Sequence, residues 1–487
     1  MKTSKVLATL VMMWLGGTLL AGCAAPPAGT ARQEPTAAPP TFPATPTTPS
    51  APLVLFGWDG TVGRVVRAID PLTGEDVPGY APLPIAGERD DMFMTPQVFA
   101  PDGRSLALLD VVGQLCYPYA GGSTCGPRSS AVYLVDFTMW AVQAIPLALD
   151  GWASPMAFSP DGRRLAVAVR GDAGENTLLL IDTATATTTA QGSLPFTPSR
   201  LGFGPGGATL LVYGQPEGDQ AGMSPPPPPR VLLLDAATLA TTWQTPLDEV
   251  VSGHWCVEQC DGDFGVRKMI SVVPGVALSP GGEMLSIVHA DAERLTTVDL
   301  AARAVRTTPI RAPVAWIDRL LTLTAGVAHA KGPMDSFART AVFSPDGSRL
   351  YVSGYDFTMT ANDAGGWDVA EAMQPLWVID PVSGRVLAET DAPNHSLRVT
   401  PDGARLLLVD VSTDVGIVAM LDAATLATEA RVEGVDVMMT FDLAGETRFV
   451  GQSFRQSRSA FVLLDPLTLD VVAEWSAEGP AWLASVP

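Results

Sequence analysis

Histidine is scarce in this chain of 487 residues, which contains only His254, His289, His329 and His395. The sequence also lacks a Gly-x-Ser-x-Gly elbow, a His-Glu-x-x-His helix, a Cys-x-x-Cys-His site and a phosphate-binding glycine loop. These patterns carry serine hydrolysis, zinc proteolysis, haem attachment and nucleotide binding. Their absence excludes enzymes whose site is one continuous motif. It leaves open only sites assembled from separate segments, and His289, which follows the strand-like run 285–288, is predicted to be structural.

Positive charge is also in short supply. The chain has 30 Lys and Arg against 51 Asp and Glu, a formal net charge of −21. A protein of this charge is repelled by nucleic acid and by anionic lipid. The excess of carboxylates favours cationic partners or weak binding of divalent ions, and its simplest consequence is solubility. The charge therefore predicts a partner other than nucleic acid.

Long apolar stretches are absent after residue 21. Residues 6–21 are apolar, follow Lys2 and Lys5, and are shorter than the roughly 20 residues of a membrane span. They end in Leu-Ala-Gly-Cys23, which resembles the lipobox of bacterial lipoproteins. The resemblance implies a signal peptide over residues 1–22, cleavage before Cys23, and a lipid on the Cys23 sulfur. The alternative is an ordinary secretory signal in which Cys23 is incidental.

Residues 24–50 contain little Glu, Lys or Arg and are rich in Pro, Thr and Ala. Such a segment cannot bury a core and favours extended polyproline geometry. We therefore predict a disordered tether over residues 23–50, starting at the lipidated Cys23, and one folded domain over residues 51–487. The predicted location is the cell membrane, with the domain exposed outside the cytoplasm.

Cysteine is rare, with five residues in all. Apart from Cys23 they form two local pairs, Cys116 with Cys125 and Cys256 with Cys260. In an oxidising compartment such pairs predict two loop disulfides. A four-Cys zinc site is the alternative, although the spacings depart from the usual C-x₂₋₄-C pairs.

A short sequence motif recurs along the chain. Residues 342–352 read Val-Phe-Ser-Pro-Asp-Gly-Ser-Arg-Leu-Tyr-Val, and the Pro-Asp-Gly turn returns near residues 101, 160 and 401, with decayed copies near 205, 280 and 442. Pro presets φ, Asp bonds its own backbone and Gly accepts a positive φ, so each copy predicts two strands joined by a tight turn.

A second unit follows each turn: an apolar strand that ends in Asp, a short turn, and a polar strand. Eight such units centre on Asp70, Asp136, Asp182, Asp235, Asp299, Asp380, Asp422 and Asp465. Four short strands at a spacing near 42 residues are typical of a propeller blade. We predict an all-β fold, a single β-propeller of eight four-stranded blades a–d, with seven blades as the alternative.

The first unit lacks its strand a, and the last residues of the chain supply one. Residues 482–487 align with residues 156–160, so blade 1 is predicted to be shared between both termini as a clasp. The Ser-Pro-Asp-Gly turn, the Arg-Leu-Tyr-Val strand and the Val-Ile-Asp-Pro-x-Ser-Gly strand resemble YVTN-type and WD-type β-propeller repeats of bacterial surface proteins. The resemblance covers residues 53–487 and implies the fold, not a function.

The long insertions all fall in b–c or d–a connections, which share one rim of a propeller. They span residues 110–131, 214–230, 245–275, 310–340 and 354–375. Insertions on one face indicate a binding face, although neutral drift of surface loops would give the same pattern. Residues 316–321 have helical spacing and are predicted to cap this face.

Two segments of this face supply candidate ligand-binding residues. His329, Lys331, Asp335 and Arg339 lie before an inner strand, where Lys331 and Arg339 can hold an acyl, phosphate or carboxylate group. The competing interpretation is a loop ordered by its own salt bridges.

His254 and Trp255 lie beside Cys256 and can stack on a sugar or a cation. The competing interpretation is that Trp255 packs under its own disulfide loop. Residues 261–265 resemble part of a calcium loop without its remaining ligands.

The sequence favours a binding or scaffold module for a protein, peptide or glycan, acting through the elaborated face as a monomer. No catalytic residue, metal ligand or cofactor is predicted, although calcium or a quinone is compatible with the fold. The alternative is a propeller enzyme, resembling a lactonase or quinoprotein dehydrogenase, with a metal or quinone at the channel. A third possibility is a purely structural surface protein.

Overall fold

The computed structural model describes most of the predicted folded domain. The described residues are 53–59, 63–85, 97–109, 114–119, 122–127, 129–171, 174–216, 224–258, 260, 268–310, 334–361, 367–392, 396–410, 416–443, 446–455, 458–477 and 482–484. All of them belong to one compact unit, Pro49–Pro487. The predicted signal peptide, Cys23 and the tether lie outside the described residues.

Short β-strands account for nearly all regular structure in the described ranges. The first are β1 Leu53–Asp59, β2 Gly63–Ile69, β3 Leu83–Ile85, β4 Gln97–Phe99, β5 Ser105–Leu109, β6 Gln114–Tyr119, β7 Gly122–Pro127, β8 Ser129–Asp136, β9 Ala141–Phe158, β10 Arg164–Gly171, β11 Asn176–Asp182 and β12 Thr187–Leu194. The next are β13 Thr197–Phe203, β14 Thr209–Gln215, β15 Arg230–Asp235, β16 Thr241–Pro246, β17 Gly253–Glu258, β18 Lys268–Val273, β19 Gly275–Leu278, β20 Met284–Val288, β21 Arg294–Asp299 and β22 Ala304–Pro309. The last are β23 Met334–Phe343, β24 Leu350–Ala361, β25 Trp367–Ile379, β26 Val386–Thr390, β27 Ser396–Val399, β28 Arg405–Asp410, β29 Ile417–Asp422, β30 Thr428–Glu433, β31 Val437–Leu443, β32 Glu446–Arg455, β33 Arg458–Leu464, β34 Val471–Ala477 and β35 Trp482–Ala484. A single 3₁₀ turn, Pro205–Gly207, completes the described elements.

The strand pairings group these strands into eight successive antiparallel units, which we call blades 1 to 8. In strand order a to d they are β35-β1-β2-β3, β4-β5-β8-β9, β9-β10-β11-β12, β13-β14-β15-β16, β19-β20-β21-β22, β23-β24-β25-β26, β27-β28-β29-β30 and β31-β32-β33-β34. The 18-residue β9 serves two blades, because its first half pairs with β8 and its second half with β10.

All eight Asp units adopt one turn geometry. The fourth residue after each Asp has φ between 48° and 72°, and only two of the eight are glycine: Gly74, Trp140, Ala186, Leu239, Arg303, Gly384, Leu426 and Leu469. The Asp carboxylate accepts hydrogen bonds from backbone N–H groups two or three residues later, as Asp380 does from Val382 and Ser383 at 2.9 and 3.1 Å. An Asp side chain that closes its own turn explains why this residue type recurs.

The a–b turns are equally regular. In six of them the glycine at the turn has φ between 64° and 71° and donates its N–H to the carbonyl three residues earlier: Gly103, Gly162, Gly207, Gly282, Gly347 and Gly403. The decayed copies at Gly207 and Gly282 keep the geometry of the others. The copy near residue 442 has its turn outside the described residues.

The hydrophobic core is divided into layers between neighbouring blades. Leu109 and Val132 of blade 2 pack with Leu165 and Val167 of blade 3, all at 1% exposure or less. Equivalent clusters lie between each of the next pairs up to blades 7 and 8. Both faces of each blade are therefore covered, which explains the continuous apolar runs in strands b and c.

The two ends of the domain meet in blade 1. β35 pairs with β1, with Val54 opposite Ala484 and Phe56 opposite Trp482. Blade 8 also contacts blade 1, because the Trp475 indole N–H donates to the Pro71 carbonyl at 3.2 Å. These contacts join β35 and blade 8 to blade 1.

Within the described residues, much of the predicted insertion loops is β-strand, which corrects the sequence-based expectation of irregular loops. β6 pairs with β7, and residues 354–361 and 367–375 extend β24 and β25 beyond blade 6. Residues 253–258 and 268–273 form β17 and β18. The predicted helix at residues 316–321 lies outside the described residues.

Candidate functional site

Three insertions extend the sheet of blade 6 on the rim opposite the Asp turns. We call this extension the insert sheet: β17, β18, residues 334–338 of β23, residues 354–361 of β24 and residues 367–374 of β25. β18 pairs with β23 in parallel, and the other pairs are antiparallel. A bulge between Val352 and Gly354 marks where blade 6 passes into this sheet. Insertions that are distant in sequence thus build a single continuous surface.

Trp255 fastens β17 to the body of the protein. Its side chain is 8% exposed and packs with Val272 of β18 and with Ala290, which follows strand b of blade 5. Ile270 and Phe337 pack against the same cluster. The indole that was predicted to stack on a ligand is therefore buried in the insert sheet. There it packs that sheet against blade 5.

Two other residues of β17 are exposed on the surface. His254 is exposed, and Val257 is 42% exposed. Desolvation by the atoms around the ring lowers the pKa of His254 below its ordinary value, so the imidazole is neutral at pH 7. β17 thus exposes a neutral imidazole and an apolar side chain, which can contact a hydrogen-bonding and an apolar group of a partner.

A disulfide closes the end of β17. The Cys256 and Cys260 sulfurs are 2.09 Å apart, and their Cα atoms are 5.7 Å apart. The predicted disulfide between Cys256 and Cys260 therefore lies beside His254 and Trp255 in the sequence of β17. Cys116 and Cys125 face each other across the β6–β7 backbone ladder. That register suits the predicted first disulfide.

Arg339 forms an ion pair with another residue of the chain at the junction of blade 6 and the insert sheet. Its Nη1 donates to Asp356 Oδ1 at 2.8 Å, and Gln374 Nε2 donates to Asp356 Oδ2 at 2.7 Å. The Arg339 side chain is 13% exposed and that of Asp356 28%. The guanidinium predicted to bind an anionic ligand is thus held by a carboxylate of the same hairpin.

Gly354 makes room for this ion pair. A Cβ at residue 354 would lie 2.8 Å from Arg339 Cδ and would also collide with the Ala338 carbonyl. No sequence pattern indicates Asp356, Gln374 or Gly354, because their role depends on a strand pairing inside a segment predicted to be a loop.

The other candidate residues divide between the insert sheet and the undescribed part of the chain. Asp335 is 8% exposed and lies on β23, opposite Ile270 on one side and Thr358 on the other. His329 and Lys331 lie outside the described residues. The structure therefore brings Asp335, Arg339, His254 and Trp255 into one sheet.

His289 forms a buried polar chain in blade 5. The imidazole is 2% exposed, its Nε2 lies 2.8 Å from Thr296 Oγ1, and that hydroxyl lies 2.9 Å from Thr307 Oγ1. Burial lowers the pKa of His289, against the weaker opposing effect of Asp291. These contacts agree with the structural role predicted for His289.

In the described ranges, no three or more His, Cys, Asp or Glu residues are grouped so that they could hold a metal ion. The calcium-like segment 261–265 lies outside those ranges. Among the same residues there is no helix of sufficient length and apolarity to cross a membrane.

Comparison with known proteins identifies the fold. The dihydro-heme d1 dehydrogenase NirN in complex with DHE is 16% identical, with 93% of this chain and 78% of that chain covered at a TM-score of 0.51. The β-propeller domain of Myceliophteria thermophila Cps50 (Swd1) is 12% identical, with 76% of this chain and 93% of that chain covered at a TM-score of 0.40. No protein-family model and no curated protein matches the chain. The chain is a β-propeller, and at these identities the likeness describes the fold alone.

Proposed function

We propose that this protein is a lipid-anchored, extracytoplasmic β-propeller that binds a protein, peptide or glycan through its insert sheet. The insert sheet itself carries the proposal. It adds a continuous surface to one rim, and Trp255, a disulfide and the Arg339–Asp356 pair hold it in place. Surface loops that drift neutrally have no need of such fastening, whereas a binding surface gains affinity from being ordered in advance.

The edge strand β17 is the part of the insert sheet that a partner can reach. In the described ranges β17 pairs on one side only, with β18. His254 and Val257 are exposed on it. An extended peptide can add to such an edge by main-chain hydrogen bonds, and exposed side chains then select the sequence.

The test is affinity capture from the host with the full chain and two variants. The first variant, His254→Ala with Val257→Ser, changes only exposed side chains of β17. The control, Val305→Ser with Leu387→Ser, changes exposed side chains of outer strands on blades 5 and 6, which are 40% and 43% exposed. A partner lost from the first variant and kept by the control supports the proposal. A partner kept equally by all three chains contradicts it.

A second candidate, a cofactor-dependent propeller enzyme, is favoured by one observation on the inner strands. Arg398 lies on β27, strand a of blade 7, with an exposed side chain while its neighbour Leu397 is 4% exposed. Desolvation by the protein atoms around the guanidinium lowers the pKa of Arg398, as expected on an inner strand near the propeller axis. Such a cation can hold a carboxylate or phosphate of a small ligand.

Native mass spectrometry of the chain purified from its host separates the two candidates. A stoichiometric excess mass of a metal or small molecule, lost in Arg398→Met, supports the enzyme. A mass equal to that of the protein and its lipid favours the binding module.

A further inference from the structure

The first described strand shows where the predicted tether joins the propeller. β1 is strand b of blade 1, and its first residue, Leu53, pairs with Ile69, the last residue of β2. The Asp70 turn follows at once. The chain therefore enters on the rim of the Asp turns, opposite the rim that carries the insert sheet.

Large apolar side chains are unevenly distributed over the tips of the eight Asp turns. Four turns expose one at the second or third position after Asp: Leu72 at 44%, Met139 at 74%, Val382 at 64% and Leu467 at 61%. The corresponding positions of the other four turns hold only Ala and Thr: Ala184 and Thr185, Ala237 and Thr238, Ala301 and Ala302, and Ala424 and Thr425. The backbone is the same in all eight, so the turn geometry does not require the apolar residues.

Three of the four apolar tips flank the chain entry. Leu467 belongs to blade 8, Leu72 to blade 1 and Met139 to blade 2. Contacts between side chain and backbone hold these turns side by side: Trp475 donates to the Pro71 carbonyl at 3.2 Å, and Trp140 to the Ala81 carbonyl at 2.6 Å. The fourth tip, Val382, lies on blade 6, and the turns of blades 3, 4, 5 and 7 have none.

Single exposed leucines are ordinary on protein surfaces, but their coincidence with the tether is informative. Because the chain enters on this rim, this rim can lie against the bilayer without the tether passing around the domain. That side bears the apolar tips and also the Asp carboxylates of the turns. An anionic surface would be repelled by these carboxylates, so the surface that fits is zwitterionic lipid.

We propose that the Asp-turn rim of blades 8, 1 and 2 rests on the lipid bilayer, so that the insert sheet points away from the membrane. Leu467, Leu72 and Met139 enter the interfacial region of the lipid. This inference rests on the lipid anchor of the proposed function. It adds the orientation of the domain and the residues that touch the membrane.

The experiment uses the full lipidated chain in phosphatidylcholine vesicles that contain a lipid-borne quencher. A fluorophore is attached to one new cysteine at a time: Met139→Cys and Leu467→Cys at the apolar tips, Thr185→Cys at the matching turn of blade 3, and Glu175→Cys on the opposite rim. We expect quenching at residues 139 and 467 to exceed that at residue 175 several-fold, with residue 185 between them. Equal or stronger quenching at residue 175 would overturn the proposed orientation.

A second set of variants tests the apolar tips themselves. In the Met139→Cys chain, adding Leu72→Ser and Leu467→Ser should lower the quenching at least twofold. Adding Val305→Ser and Leu387→Ser, on outer strands away from the tips, should leave it unchanged. If quenching is unchanged by Leu72→Ser and Leu467→Ser, the apolar tips do not touch lipid.

The intact mass of the purified chain keeps the two proposals apart. A mass without acyl groups on Cys23 would contradict the lipid anchor itself. A lipidated chain with the wrong quenching pattern would contradict only the orientation.

Discussion

At the scale of single residues, the eight Asp turns share one backbone conformation although the residue at their positive-φ position differs. The fourth residue after each repeat Asp has a positive φ, although six of these eight residues carry side chains. A non-glycine residue in this region costs about 1–2 kcal/mol. Packing against the neighbouring blade offsets that cost, as for Leu426, which is 5% exposed in the layer between blades 6 and 7.

Gly384 and Gly206 form a matched pair that separates backbone strain from collision. Their φ values are 71° and 69°. A Cβ at Gly384 would lie 2.8 Å from Thr308 Oγ1 of blade 5, whereas one at Gly206 meets nothing within 4 Å. We expect Gly206→Ala to lower the free energy of unfolding by about 1–2 kcal/mol and Gly384→Ala to lower it by more. Urea denaturation measures both. Equal losses would show that Thr308 moves away from the new Cβ without a measurable loss of stability.

His289 should make stability depend on pH near neutrality. Burial lowers its pKa in the folded protein below the ordinary 6.5, so the unfolded chain binds the proton more tightly. The stabilisation is therefore complete above pH 6.5 and is lost as the pH falls below that value. We expect the melting temperature to fall between pH 7.5 and 5.5, and His289→Gln to reduce that fall. An unchanged slope in the variant would assign the effect to another group.

At the scale of elements, the Asp turns and the a–b turns recur from blade to blade, whereas the insert sheet occurs once. In some of the turns the Asp carboxylate has a lowered pKa, because side-chain and backbone donors stabilise its charged form. The clearest case is Asp346, whose pKa is lowered to about 2 by the hydroxyl of Ser344 and by Ser348. Asp161 and Asp465 are lowered for the same kind of reason.

These turns should make the protein sensitive to acid. Because the folded pKa is depressed, the stabilisation is complete above the ordinary value of about 4 and is lost as the pH falls towards 2. We expect a steep fall in melting temperature between pH 4 and pH 2. Asp346→Asn should lower stability at pH 7 and make the acid fall shallower. A melting temperature that is constant across this range would contradict the role of the turns.

The ion pair at the base of the insert sheet should be energetically coupled. A double-mutant cycle of Arg339→Ala and Asp356→Ala should give an interaction of about 1–3 kcal/mol, since both side chains are largely buried. The matched control is Arg431 and Glu433, 3.8 Å apart with side chains 57% and 68% exposed. That pair should give less than about 0.5 kcal/mol. Equal couplings would mean that burial does not strengthen the first pair.

The contrast between the turns and the insert sheet shows what the sequence can predict. The Asp units and Pro-Asp-Gly turns are local, so a few residues determine each one, and all eight Asp turns lie where the pattern predicts them. The insert sheet depends on pairing β18 with β23, more than 60 residues apart in sequence. No local pattern indicates that pairing, and therefore neither the strands of the insertions nor the partner of Arg339 was predictable.

At the scale of the whole molecule, the layers between blades make each blade depend on its two neighbours. Blade 1 differs, because its inner strand β35 comes from the other end of the domain. The same blade receives the Trp475 hydrogen bond from blade 8 and the Trp140 hydrogen bond from blade 2. Closure of the ring thus depends on contacts between residues more than 400 positions apart in sequence.

Truncation of the last strand tests this dependence. Removing residues 482–487 deletes β35 and leaves the edge of β1 without its partner, so we expect a lower melting temperature, faster amide exchange in β1, and aggregation through the exposed edge. Removing residues 485–487 alone keeps β35 and should change none of these. The two truncations differ by only three residues, so a difference between them reports the strand rather than the loss of chain. If both behave like the full chain, the pairing of β35 with β1 contributes little to closure, and the blade layers alone hold the ring together.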